Sequence, residues 1–253
     1  LERRRSVGKI ASLETRLRQE PLAGLTGIGH TRWATHGEAN EENAHPHISD
    51  GVAVVHNGII ENYAALKADL QARGFTFESE TDTETVAVFL NSLIKSGLEP
   101  QEAVAACLPK LTGAYALGMM FEGYPEMMFG ARKGSPLVIG VGKDEMFLGS
   151  DALAIAPFTN RVIYLEEGDW CCLTRDNYQI FDAEGQKVSR PVQKVEIDED
   201  GADKGNYPHF MLKEIYEQPR SLKKTLQAYT HPVHNTIDLP RDIQNQIDFK
   251  SIS

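Results

Sequence analysis

Within eight residues, His30-Thr31-Arg32-Trp33-Ala34-Thr35-His36-Gly37, the chain carries a guanidinium, an indole, two hydroxyls and two imidazoles, bracketed by Gly27, Gly29 and Gly37. Folding alone asks for no such mixture. So many hydrogen-bonding groups in one glycine-flanked loop point to a small polar ligand. The planar fork of Arg32 matches a carboxylate on that ligand.

Two further constellations bear on the same chemistry. Asn57-Gly58 follows the apolar run 52–55. Its plain reading is a turn. Its chemical reading is a pair of donors, the Asn57 amide and the Gly58 N–H, aimed at one carbonyl oxygen, as acyl transfer requires where negative charge develops. Asp82 lies in Thr81-Asp82-Thr83-Glu84, which has capping-box form. There it either serves the helix start or pairs with an ammonium. Together with Arg32 it would grip both charged ends of a free amino acid. Trp33 reads as core or as a lid. Five of the eight histidines fall between His30 and His56. A metal pair at His45 and His47 is the less favoured reading, because no nearby Cys or Glu completes a ligand set. Hydrogen-bonding or packing histidines are expected instead. Arg132-Lys133-Gly134-Ser135 lacks the spacing of a phosphate loop and reads as a turn.

These groups need elements to hold them. Residues 6–20 have an amphipathic helical pattern with Val7, Ile10, Leu13 and Leu17 on one face. Residues 40–49 read as loop, residues 51–58 as a strand ending at Asn57-Gly58, and residues 60–72 as a helix with Tyr63, Leu66 and Leu70 inward and Gly74 past its end. A helix follows Thr81, and another opens at Pro100. Short strands are expected at 114–121, 126–131, 137–141, 145–149, 161–165, 169–174 and 178–181, separated by Gly, Pro and Asp turns. Helices mixed with hairpins indicate an α+β fold. The chain turns acidic after Val195, a domain edge, and residues 208–229 read as a helix bent or broken near Pro219. Residues 230–253 have no core pattern.

Composition bounds the function. The 253 residues are 41% hydrophobic, ample for a core, and the net charge of −10 argues against a nucleic-acid or membrane-surface partner. No apolar run is long enough to span a bilayer, and no signal peptide is visible. The three cysteines, Cys107, Cys171 and Cys172, form no disulfide framework, which favours the cytoplasm. Cys107 reads as packing. Cys171 and Cys172 are adjacent in a strand and should point to opposite faces.

Taken together, six segments resemble the glutaminase domains of glucosamine-6-phosphate synthases, which are class II glutamine amidotransferases. They are residues 30–37, Asn43-Ala44-His45-Pro46-His47, residues 56–62, Ser79-Glu80-Thr81-Asp82-Thr83-Glu84, residues 134–140 and residues 213–219. The resemblance runs along nearly the whole chain. It implies an N-terminal-nucleophile fold, a four-layer αββα sandwich. It also implies that Arg32 binds the glutamine α-carboxylate with Thr35 and His36 in the same pocket, that Asp82 meets the α-ammonium, that Asn57 and Gly58 form the oxyanion hole, and that Trp33 gates ammonia. Residues 1–205 would be the glutaminase domain. Residues 206–253 would be a linker helix and tail toward a sugar-isomerase domain, with oligomerisation through the longer protein. No metal or organic cofactor is implied.

In that family the nucleophile is an amino-terminal cysteine whose own α-amine is the base. Here the first residue is Leu1, and an internal cysteine lacks that amine. The expectation is therefore a chain without the first strand, the attacking thiol or the isomerase half, inactive alone and less stable for its unpaired strand edges. The alternatives are a non-catalytic glutamine-binding module and a truncated product with no independent role.

Overall fold

The apolar runs become strands whose alternate residues serve different cores. Leu117, Ala131 and Cys172 face one cluster with the helices, while Ala116, Cys171 and Leu173 face a second cluster shared with Ile139 and Ile163. Val138 and Val162 face a third, with Ala152 and Ile155. The period-2 alternation of a strand is thus apolar on both sides, because each sheet is covered on both faces. The computed structural model describes residues 1–33, 37–195, 204–230 and 237. The chain divides into two compact units, Leu1–Glu196 and Ile197–Ser253.

In the first unit the elements are α1 (Ile10–Gln19), β1 (His47–Ser49), β2 (Val52–Ile60), α2 (Tyr63–Ala72), α3 (Asp82–Lys95), α4 (Pro100–Cys107), β3 (Gly113–Phe121), β4 (Met128–Lys133), β5 (Val138–Val141), β6 (Met146–Gly149), α5 (Ala152–Ile155), β7 (Arg161–Tyr164), β8 (Trp170–Leu173), β9 (Tyr178–Phe181), β10 (Lys187–Val188) and β11 (Gln193–Lys194). One sheet has the order β1-β2-β3-β4-β8-β9-β10, the other β11-β7-β5-β6, and the pairings are antiparallel. Helices α3 and α4 pack Val86, Leu90, Val104 and Cys107 on the outer face of the larger sheet. The layers run helix, sheet, sheet, helix, the last being α5 among the described residues. This is the expected α+β sandwich.

Several local expectations change. The helix expected over 6–20 begins only at Ile10, after Gly8 at φ +98°, and none of its residues is buried; Val7 and Ile10 are exposed. Residues 47–49, expected as loop, form β1. Asp50 and Gly51 both take positive φ and close a hairpin in which Ser49 pairs with Val52. A two-residue Asp-Gly loop with both φ positive matches the twist of the strands it joins. Asn57-Gly58 is no turn: β2 runs through it to Ile60, with Asn57 opposite Ala116 and Gly58 opposite Tyr115. Cys171 and Cys172 lie on opposite faces as expected, in different cores.

Helix α3 is the element that matters most for the site. Thr81 caps it, its Oγ1 accepting from the Glu84 N–H at 3.3 Å. The reciprocal half of a capping box is absent, because the Glu84 carboxylate accepts instead from Glu78 N, Ser79 N and Ser79 Oγ at 2.7 Å each. The helix is buried from Asp82 to Val88 and again at Leu90, Asn91 and Ser92. Burying Val86, Val88 and Leu90 contributes about 2 kcal/mol each, which anchors its first turn.

In the second unit α6 (Phe210–Ala228) runs without a break through Pro219, so of the two expectations, bent or broken, the break does not occur. Pro219 removes one main-chain hydrogen bond, and the flanking turns carry the helix across it. Lys213 on this helix is buried and lies 3.8 Å from Glu217. Among the described residues no helix is long and apolar enough to cross a membrane.

Candidate active site

The three constellations singled out in the sequence line one cavity. Its volume is about 290 Å3, and its walls are His30, Thr31, Arg32, Trp33, His45, His56, Asn57, Gly58, Ile59, Thr81, Asp82 and Thr83. Thr35 and His36 lie outside the described residues.

Strand β2 supplies the floor. Its residues Val52–Val54 and Ile60 are buried, whereas Asn57, Gly58 and Ile59 are exposed. Gly58 has φ +126°, and a Cβ there would lie 2.1 Å from the Ala114 carbonyl oxygen. Only glycine takes that backbone conformation at so close an approach to the neighbouring strand. Asn57 is held by His30, whose Nε2 is 2.7 Å from Asn57 Oδ1. Burial lowers the His30 pKa against the opposing pull of this hydrogen bond. An amide oxygen only accepts, so His30 donates from Nε2 to Asn57 Oδ1, and the Asn57 amide hydrogens face away from His30.

The start of α3 forms one wall. Asp82 is 3% exposed, and its Oδ2 accepts from the Ile60 N–H at 2.8 Å. That bond ties the end of β2 to the start of α3. His56 Nδ1 is 3.0 Å from Thr83 Oγ1 and 3.9 Å from Asp82 Oδ2. The carboxylate thus sits at a helix N-terminus, where the dipole favours its charge.

His30, Thr31, Arg32 and Trp33 of the octapeptide also line the cavity. Arg32 Nη1 donates to the Glu38 carbonyl at 2.8 Å, and Nη2 to the Gly37 carbonyl at 3.2 Å. Trp33 is 89% exposed and is not core.

The histidine cluster is a packing and hydrogen-bonding assembly. His30 stacks on His45 at 4.2 Å between ring centroids, and His45 meets His47 edge-on at 5.0 Å. His45 Nδ1 accepts from the His56 N–H at 3.3 Å, and His47 Nε2 is 3.0 Å from Thr81 Oγ1. Burial is the main cause that lowers the pKa of His45 to about 2, with neighbouring His30 and His47 adding to it. Burial, then the charge of Arg5, lowers that of His47 to about 3. Among the described residues, no three His, Cys, Asp or Glu side chains are grouped to hold a metal ion.

None of the three cysteines lines the cavity. All are buried, and burial raises their pKa values, Cys171 to about 12 and Cys172 to about 11. Sequence reasoning expected hydrogen-bonding or packing histidines and a cap at Thr81, and did not place His30, His45, His56, Thr81 or Thr83 at the cavity. The crowding of histidines between 30 and 56 was their signal.

A family model described as a glutamine amidotransferase domain matches residues 30–157. Proteins named glutamine–fructose-6-phosphate aminotransferase [isomerizing] are similar to the chain. The one from Caulobacter vibrioides is 54% identical over 243 residues, 96% of this chain and 40% of that protein. Those from Brucella abortus and Rhizobium meliloti are 55% and 52% identical, covering 90% and 100% of this chain. The chain spans about 40% of the length of these relatives. Among solved structures, the glutamine phosphoribosylpyrophosphate amidotransferase of B. subtilis superposes with a TM-score of 0.52 at 27% identity, covering 61% of this chain and 34% of that one. The allosteric regulatory enzyme of purine biosynthesis superposes with a TM-score of 0.51 at 28% identity. With a matched segment that contains Asn57, Gly58 and Asp82, the chain belongs to the glutamine amidotransferase domain family.

Proposed function

We propose that the cavity binds free L-glutamine and presents its side-chain amide for hydrolysis, the ammonia passing to a sugar-phosphate acceptor held by a sugar-isomerase domain. One observation carries this reading: a cation, Arg32, and a buried carboxylate, Asp82, line the same small cavity as the Asn57-Gly58 pair. Arg32 takes the α-carboxylate and Asp82 the α-ammonium. The Asn57 amide and the Gly58 N–H meet the oxygen of the γ-carbonyl as it gains charge during attack. Thr35 and His36 complete the carboxylate side, and Trp33 closes the cavity and directs ammonia. Residues 1–205 are the glutaminase domain, and residues 206–253 lead toward the acceptor domain. The setting is cytoplasmic.

Hydrolysis through a thioester needs a thiolate at the cavity, and Cys107, Cys171 and Cys172 are buried elsewhere. That observation favours a second reading for this chain taken by itself, a glutamine-binding module without turnover. Calorimetric titration with L-glutamine, paired with an assay for released ammonia, separates the two. Binding with ammonia release supports the hydrolase, and binding without it supports the module. Loss of Arg32 or Asp82 is expected to weaken binding about tenfold or more, the scale of a charge-assisted hydrogen bond. Unchanged affinity in both Arg32→Ala and Asp82→Asn would overturn the assignment.

A further inference from the structure

Arg32 is held on a loop, and a guanidinium selects a carboxylate only when its fork is fixed in place. The fixing is visible one step away. The Glu38 carbonyl that accepts from Arg32 Nη1 also accepts from Asn43 Nδ2, at 3.1 Å. On the other side of the same residue, the Glu38 N–H donates to Glu80 Oε2 at 3.2 Å. Asn43 and Glu80 lock each other: Asn43 Nδ2 donates to Glu80 Oε2 at 3.0 Å, and the Glu80 N–H donates to Asn43 Oδ1 at 3.0 Å. Asn43 is 1% exposed, so every polar atom of its amide is committed within this clasp. Gly37 lies flush against it at φ +77°. A Cβ there would stand 2.6 Å from Asn43 Nδ2 and 2.9 Å from Glu80 Oε2. The clasp closes two residues before Asp82, on the segment that enters α3.

We propose that Asn43 and Glu80 are the positioning residues for Arg32: by clamping Gly37-Glu38 to the segment that enters α3, they hold the guanidinium in the cavity that Asp82 also lines and so impose the demand for a free α-carboxylate. The inference rests on the glutamine reading. Its consequence is a separation of roles, in which the clasp governs selectivity for one end of the ligand and not general affinity.

The test compares two ligands, L-glutamine and its α-carboxamide, titrated calorimetrically into the wild-type chain and its variants. In the wild type, L-glutamine binds more tightly, and Arg32→Ala removes the preference. Asn43→Ala and Glu80→Ala are expected to shrink the preference by about tenfold, the worth of a charge-assisted contact, while affinity for the carboxamide stays at its wild-type value. Glu80→Gln keeps an acceptor oxygen for Glu38 N and Asn43 Nδ2 and is expected to retain the preference. A wild-type chain that binds neither ligand, or does not distinguish them, overturns the glutamine reading together with the clasp. A preference that Arg32→Ala abolishes and both alanine variants preserve overturns the clasp alone. Equal weakening of both ligands in the alanine variants assigns Asn43 and Glu80 to stability and also overturns it. Glu80 lies on the surface, so Glu80→Ala gives a folded readout where Asn43→Ala does not fold.

Discussion

His30 Nε2 stands 2.7 Å from Asn57 Oδ1, so the orientation of the Asn57 amide is set from outside β2. An amide has one accepting and one donating end. Engaging the oxygen leaves the donating end as the face available to a developing oxyanion. His45, stacked on His30 and accepting from the His56 N–H, braces both the ring and the strand.

That relationship gives a first prediction. In a protein whose cavity also holds the attacking thiol, Asn57→Ala is expected to lower glutaminase turnover by about 100-fold or more, the usual cost of one oxyanion donor. His30→Ala is expected to lower turnover by a smaller factor with little change in KM, because the donor remains and only its orientation is lost. Ammonia release across a glutamine series checks this. A large KM effect with unchanged kcat would assign His30 to substrate binding.

Gly58→Ala should be among the most destabilising single substitutions in the chain. Its Cβ would meet a main-chain oxygen at 2.1 Å, and φ +126° is strained for any L side chain. A loss on the order of 3 kcal/mol or more is expected, read from the midpoint of denaturant unfolding. Gly74→Ala, with nothing near its Cβ, is the control for positive φ alone.

The neutral histidines make the fold sensitive to mild acid. In the unfolded chain His45 and His47 take up protons near their ordinary value of 6.5, whereas in the folded chain they hold off to about 2 and about 3. Lowering the pH from 6.5 therefore favours the unfolded state, by about 1.4 kcal/mol per pH unit for each proton taken up. Above about pH 7.5, where the unfolded rings are also deprotonated, neither residue contributes an appreciable slope. Unfolding free energies measured between pH 7 and pH 5 are expected to fall, and His47→Gln is expected to flatten the profile. A profile already flat in the wild type would count against burial of the neutral rings.

The cysteines should be chemically silent in the folded state. Burial raises all three thiols and excludes reagent. Iodoacetamide at pH 8 is expected to modify the native chain slowly and the denatured chain fully, by mass spectrometry. Cys107→Ala is expected to leave glutamine affinity unchanged. Rapid native modification that blocks glutamine binding would place a thiol at the cavity after all.

Much of the site was legible because its residues are chemically unusual where they stand. Arg32 and Trp33 in a glycine-flanked loop, Asp82 behind a capping threonine and Asn57-Gly58 after an apolar run each carry their signal locally. What was not legible is how they meet. Asn57-Gly58 looked like a turn because that dipeptide usually is one; here the positive φ of Gly58 is accommodated inside a strand opposite Tyr115. The hairpin that creates β1 was hidden in Asp50-Gly51, since three residues give too short a pattern to read periodicity from. Asn43 and Glu80 stand in two of the resembling segments, but a buried amide and a surface carboxylate declare no pairing until the chain brings them within 3.0 Å. The strands from Gly113 onward were the easiest to find, and the clusters they feed explain why: burial on both faces leaves little room for polar residues.

Asp82 is the first residue of α3, and Val86, Ala87, Val88 and Leu90 of the same helix are fully buried. No loop stands between the cavity wall and the core to absorb a displacement. A repacking at Leu90 that turns the helix by a few degrees carries the carboxylate with it. Selectivity and core composition are therefore inherited together along this helix, and neither can drift through substitution without the other registering the change.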